Sequence, residues 1–197
     1  MVNVFIAGST SIKVLDPKVK ERIDNIVESD FTVIVGDAAG ADSSIQSYLL
    51  KCGSRHTVVF CSGDQPRHNI GNWPVTRVQV RNAAPGTRYF FTAKDIEMAK
   101  TADYGLMIWD AKSMGTLSNV IELLRRQKKS VVFVHKVRQF LTVGNVAQLE
   151  RLLGYMSESS LQTADHKIRL QDKIRELKSS QSEMFACMDC PQNTAKS

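Results

Sequence analysis

Apolar positions along the chain fall into two alternating rhythms. Segments 2–7, 31–35, 57–61, 104–109 and 131–135 are short and almost uninterrupted in Val, Ile, Phe and other apolar residues, the pattern of strands buried on both faces. Between them the spacing becomes one-sided and helical. Asp16 and Pro17 stand where an N-cap and a first helical residue belong, and Val19, Ile23, Ile26 and Val27 follow on one face. After the second run, Ser43 and Gln46 have capping-box spacing ahead of a stripe of Ile45, Tyr48, Leu49 and Cys52. Leu117, Val120, Ile121 and Leu124 repeat the pattern between the fourth and fifth runs. This alternation predicts an α/β fold: an open, Rossmann-like, mostly parallel sheet of five or more strands, with helices on both faces and right-handed crossovers.

Two stretches depart from the rhythm. Residues 62–92 form a long connection with Pro66, Trp73, Pro74 and Pro85, in which Arg67, Arg77, Arg81 and Arg88 face one acid, Asp64. Such a length predicts a basic lid over a site, although residues 75–80 have the composition of a hidden strand. Beyond His135, Val143, Val146, Leu149, Leu153 and Met156 mark an amphipathic helix, and 168–177 a second with a thinner apolar face. The expected organisation is a Rossmann-like ligand-binding domain over 1–140, a helical appendage over 141–180 and a flexible tail over 181–197. The apolar stripe of the 143–156 helix, with little after it to cover it, predicts a homodimer or higher homo-oligomer.

With 197 residues, 43% hydrophobic and 23% charged, the composition excludes disordered and fibrous classes. The net charge of +6 suits an anionic partner without specifying one. Cys52, Cys61, Cys187 and Cys190 are too scattered for a disulfide framework, and no apolar run has the length of a signal-peptide core or a membrane span. A cytoplasmic protein without a membrane partner is expected. Cys187 and Cys190 have the spacing of half a zinc site without the other half, and the four histidines show no ligand spacing, so neither metal nor cofactor is expected.

In open α/β sheets, ligands bind beyond the carboxyl ends of the strands. Three turns there are rich in small residues and hydroxyls: Gly8, Ser9 and Thr10 after the first run; Gly36, Asp37, Gly40 and Asp42 after the second; Asp110, Ser113, Gly115 and Thr116 after the fourth. Small residues let backbone N–H groups approach an anion, and a following helix adds its dipole. The same residues also serve tight turns. Asp42 reads as a helix cap or a ligand contact, and Asp37 as a partner for ligand hydroxyls or a turn former. Arg88 and Lys94 flank the next helix, where solvated charge and phosphate contact are the alternatives. No P-loop, G-x-G-x-x-G or G-x-S-x-G motif is present.

Gly8-Ser9, then Val35-Gly36-Asp37-Ala38-Ala39-Gly40-Ala41-Asp42, then Lys94 to Ala99 leading to Ile108-Trp109-Asp110, then Ser113-Met114-Gly115-Thr116, together resemble the SLOG superfamily. That group includes the DNA-processing protein A domain and the lysine decarboxylase-like phosphoribohydrolases, and the resemblance spans about residues 1–135. It implies a nucleotide or nucleoside-derived ligand held by the first turn and the Gly-Thr turn. In the phosphoribohydrolases that turn reads P-G-G-x-G-T-x-x-E. Here the proline and paired glycines are absent and Asn119 stands for the Glu, so binding is the implied activity and N-glycosidic hydrolysis the weaker one. Were hydrolysis to occur, Asp37 and Asp110 are the candidate catalytic carboxylates. A DNA-binding accessory protein is the alternative, with nucleic acid the less favoured partner.

Overall fold

A computed structural model describes residues 1–80, 84 and 86–188, with side chains through residue 180. The expected runs form β1 (Asn3–Gly8), β2 (Thr32–Gly36), β3 (Thr57–Ser62), β5 (Tyr104–Trp109) and β6 (Ser130–Val134). The hidden strand exists as β4 (Val75–Val78), and β7 (Gln139–Val143) is an addition. The seven strands are ordered β4-β3-β2-β1-β5-β6-β7; all pairs are parallel except β6 with β7. Arg138, at φ 53, closes the four-residue connection between Val134 and its partner Gln139. Phe140 then packs on Phe133, their ring centroids 5.0 Å apart. Val143 therefore ends a strand instead of opening a helix.

Alternation along the strands sends side chains to two separate cores. Val4, Ile6, Val33 and Val35 meet α1 (Pro17–Glu28) and α2 (Ala41–Lys51) on one face. Phe5, Ile34, Met107 and Trp109 meet α3 (Arg88–Thr101), α4 (Met114–Arg125), α5 (Val146–Leu153), α6 (Glu158–Ile168) and α7 (Leu170–Met188) on the other. Helices thus cover both faces. Asp16 caps α1 as its sequence suggests, accepting from the Lys18 N–H at 3.0 Å.

Two local readings need correction. Helix α2 begins at Ala41, capped by Gly40, so Ser43 and Gln46 are not a capping box. The buried Gln46 amide instead donates to the Gly36 and His68 carbonyls, while its oxygen accepts from Ile70 N–H. The stripe on α5 is also covered within the chain: Leu149, Leu152, Leu153 and Met156 share one core with Ala164, Ile168, Leu170, Ile174 and Leu177. That removes the reason given for self-association. Strand β7 straddles the expected boundary at residue 140, α5 to α7 join the sheet's own core, and α7 continues to Met188 in the segment read as a tail. Residues 189–197 lie outside the described residues.

Candidate functional site

Strand order reverses between β1 and β5, since β1 leads outward to β2 while β5 leads the other way to β6. That switch point is where an open α/β sheet leaves a crevice. Gly8 is required there, because a Cβ would lie 2.7 Å from the Ile108 carbonyl oxygen and 2.8 Å from the Ala41 Cβ. The chain passes on to Ser9, whose hydroxyl accepts from Asp110 N–H at 3.1 Å and lies 3.4 Å from the Thr116 hydroxyl. Thr116 in turn donates to the Ser113 hydroxyl, which caps α4. The hydroxyls marked by sequence as donors to a ligand thus brace one another.

Asp110 is used in the same way. One carboxylate oxygen accepts from the N–H groups of Lys112 and Ser113, and the other accepts from the Ser11 hydroxyl at 2.7 Å. Burial works to raise its pKa, yet these hydrogen bonds hold it below the ordinary carboxylate value. Among the described residues no acceptor takes the N–H groups of Met114 and Gly115 at the start of α4. Beside Gly115 there is open space: the nearest heavy atom to a Cβ there would be the Ser113 hydroxyl oxygen, 4.0 Å away. Thr10 is exposed nearby in the chain, and Gly40 packs directly on its backbone.

The second turn holds a buried ion cluster. Asp37, 2% exposed, accepts from the backbone N–H, Nε and Nη2 of Arg67, at 3.0, 3.2 and 2.7 Å. The Arg67 guanidinium also lies over the Phe91 ring, 4.3 Å from its centroid. The Lys94 ammonium, in a residue 3% exposed, lies 2.8 Å from Asp95 and 3.9 Å from Asp37. Gly36 makes room for it, since a Cβ would be 2.5 Å from the Asp42 carboxylate and 2.6 Å from the ammonium. Burial would raise the pKa of Asp37, but the Arg67 hydrogen bonds and Lys94 hold it low. Asp42 is different. Burial pushes its pKa up to about 6 against the pull of Lys94. For Lys94, burial acts downward but the charges of Asp95 and Asp42 keep it raised and protonated.

Asp37 therefore has its oxygens engaged by Arg67 and is not open to ligand hydroxyls, and Lys94 serves the cluster. The remaining predicted contacts, Arg88 and Asn119, line a groove between α3, α4 and the C-terminal helices, Asn119 lying one helical turn beyond Gly115. Sequence reasoning singled out Asp110 but missed the cleft of about 600 Å³ that it lines at the carboxyl ends of β1, β5 and β6 together with Ser11, Lys13, His135 and Arg138. Their signal was position, each lying in a loop that follows a strand. The basic segment is also more anchored than its composition suggests: Arg67 is pinned, and Arg77 donates to the Asp64 carbonyl at 2.8 Å. Arg81 lies outside the described residues, as do the side chains of Cys187 and Cys190. Cys52 and Cys61 are free thiols. No group of metal-binding side chains and no helix long and apolar enough to cross a membrane occurs among the described residues.

No protein-family description matches the chain, and no curated protein is similar to it. Among solved structures it is similar to DNA processing protein A from Helicobacter pylori, described for its single-stranded DNA binding mode, with 17% identity and a TM-score of 0.52. The similarity covers 87% of this chain and 81% of the other. At that identity the likeness establishes a shared Rossmann-like α/β fold.

Proposed function

We propose that the protein binds a nucleotide or nucleoside-derived anion at a SLOG-like site, with a phosphate at the amino end of α4. The supporting observation is the pair of Met114 and Gly115 N–H groups without internal acceptors, with open space beside Gly115, at the switch point of the sheet. Serine and threonine hydroxyls hold the turn in shape, and the backbone supplies the donors. N-glycosidic hydrolysis fits less well. Asp37 and Asp110 are both held ionised by internal hydrogen bonds, and the amide of Asn119 offers neither a general base nor a negative charge to an oxocarbenium ion.

Calorimetric titration with purine and pyrimidine nucleoside monophosphates tests this reading, with Gly115→Glu as the discriminating variant. Glu is compatible with the first turn of a helix, so folding is expected to persist. A like charge beside a bound phosphate costs about 2–4 kcal/mol, a thirty- to thousandfold loss of affinity. Unchanged affinity in this variant would remove the site.

The likeness to DNA processing protein A and the arginines of 62–92 favour single-stranded DNA as the second reading. Against it, the Arg67 guanidinium is taken up by the Asp37 carboxylate. Binding of a labelled oligothymidylate that falls steeply with salt, and survives Gly115→Glu, would replace the nucleotide reading.

A further inference from the structure

Between α3, α4 and the C-terminal helices runs a groove of about 290 Å³. From Asn119 to Arg125 its α4 wall is about 9 Å long at the rise of an α-helix. Arg88 of α3, Arg125 of α4, Lys167 of α6 and Lys173 of α7 all line it. Asp95 and Glu122 also line it, Asp95 paired with Lys94 at 2.8 Å and Glu122 with Arg125 and Arg126 at 3.3 and 2.7 Å. Among the described residues, the side chains of Arg88, Lys167 and Lys173 have neither an ion-pair nor a hydrogen-bond partner.

A second observation lies at the groove's other end. Asn119 is only 7% exposed, yet its amide makes no hydrogen bond to any described residue. Its polar atoms are not fully enclosed, so they reach solvent and can bond a ligand in the groove in place of water. We propose that this groove binds a small diphosphate-class anion, with Asn119 donating to one phosphoryl group and the cations of α3, α4, α6 and α7 neutralising the charge. Burial lowers the pKa of Lys173, with Glu122 and Glu176 opposing and Arg125 and Arg88 adding to the lowering, so Lys173 lies within electrostatic reach of both arginines. The volume is at the lower end for small-molecule sites, which suits an anion no larger than a nucleotide. Two of the four cations come from helices beyond the 1–135 span of the SLOG resemblance. Its cationic part is thus distinct from the Gly115 turn, which lies one helical turn before Asn119 on α4.

Titration with inorganic pyrophosphate at low salt tests the proposal, and ADP in parallel separates free from nucleotide-borne diphosphate. Pyrophosphate is expected to bind, and Arg88→Gln, Lys167→Gln and Lys173→Gln are each expected to weaken it about tenfold or more. Asn119→Ala is expected to weaken it too. Lys167 is exposed, so its variant carries no risk to folding. An ADP affinity that falls in the same variants identifies a nucleotide-borne diphosphate; a response of pyrophosphate alone identifies the free anion. The proposal is overturned if pyrophosphate does not bind, or if its binding is untouched by Arg88→Gln, Lys167→Gln and Lys173→Gln.

Discussion

Replacing Lys94 with Met is expected to cost about 3–5 kcal/mol at pH 7, the usual penalty for removing one partner of a buried ion cluster. Methionine fills much of the volume, so the loss is electrostatic: Asp42 and Asp95 lose the charge that faces them, while Asp37 keeps Arg67. The pH dependence follows from Asp42. Its pKa in the folded protein, about 6, lies above the ordinary 3.8, so the folded state favours the protonated acid. That stabilisation is fully present below about pH 4 and is lost as pH rises through 6. Without Lys94, whose charge lowers this pKa, the window moves upward. The deficit of Lys94→Met is therefore larger at pH 7.5 than at pH 5, and adding Asp42→Asn recovers part of it. Urea denaturation at the two pH values measures this. A cost below about 1 kcal/mol, independent of pH, would show that the cluster is hydrated and that Lys94 holds nothing in place.

That cluster also shows what the sequence could and could not reveal. Short uninterrupted apolar runs mark strands covered on both faces, and one-sided stripes mark the buried face of a helix, so β1, β2, β3, β5 and β6 and the stripes of α1 and α4 were legible. Strand β7 was not, because an edge strand of Gln139, Phe140, Leu141, Thr142 and Val143 needs only a modest apolar side, and its turn depends on Arg138 adopting a positive φ. The three turns were legible as places but not as chemistry. Ser9, Ser113 and Thr116 are the residue types that either a ligand or a neighbouring turn would use. Only the contact between residues 107 positions apart shows that Ser9 and Thr116 serve each other. Arg67 was the largest omission: within a chain of polar and proline residues nothing marks it as the partner of Asp37, 30 positions earlier. Long-range pairing of this kind is carried by topology, which places the connection after β3 beside the end of β2.

Gly40→Ala is the second substitution expected to have a large effect, and it reports on how the first two turns are held together. Gly40 has φ 85 and ψ −124, a conformation that costs any residue with a Cβ. Its Cβ would also run into the backbone of Thr10, which has little freedom to retreat because the Ser44 hydroxyl ties the nearby Lys13 carbonyl to α2 at 2.7 Å. Strain and overpacking together are expected to cost about 2–6 kcal/mol. Gly53→Ala supplies the control: φ is 66, but nothing lies within 4 Å of its Cβ. That change carries strain alone, about 1 kcal/mol. Because Thr10 must move to admit the methyl group, nucleotide affinity is expected to fall in Gly40→Ala under conditions where the variant is folded, and to stay unchanged in Gly53→Ala. Denaturation midpoints and titrations on both variants provide the comparison. Equal costs and equal affinities would mean that the Gly40 contact with Thr10 does not shape the site.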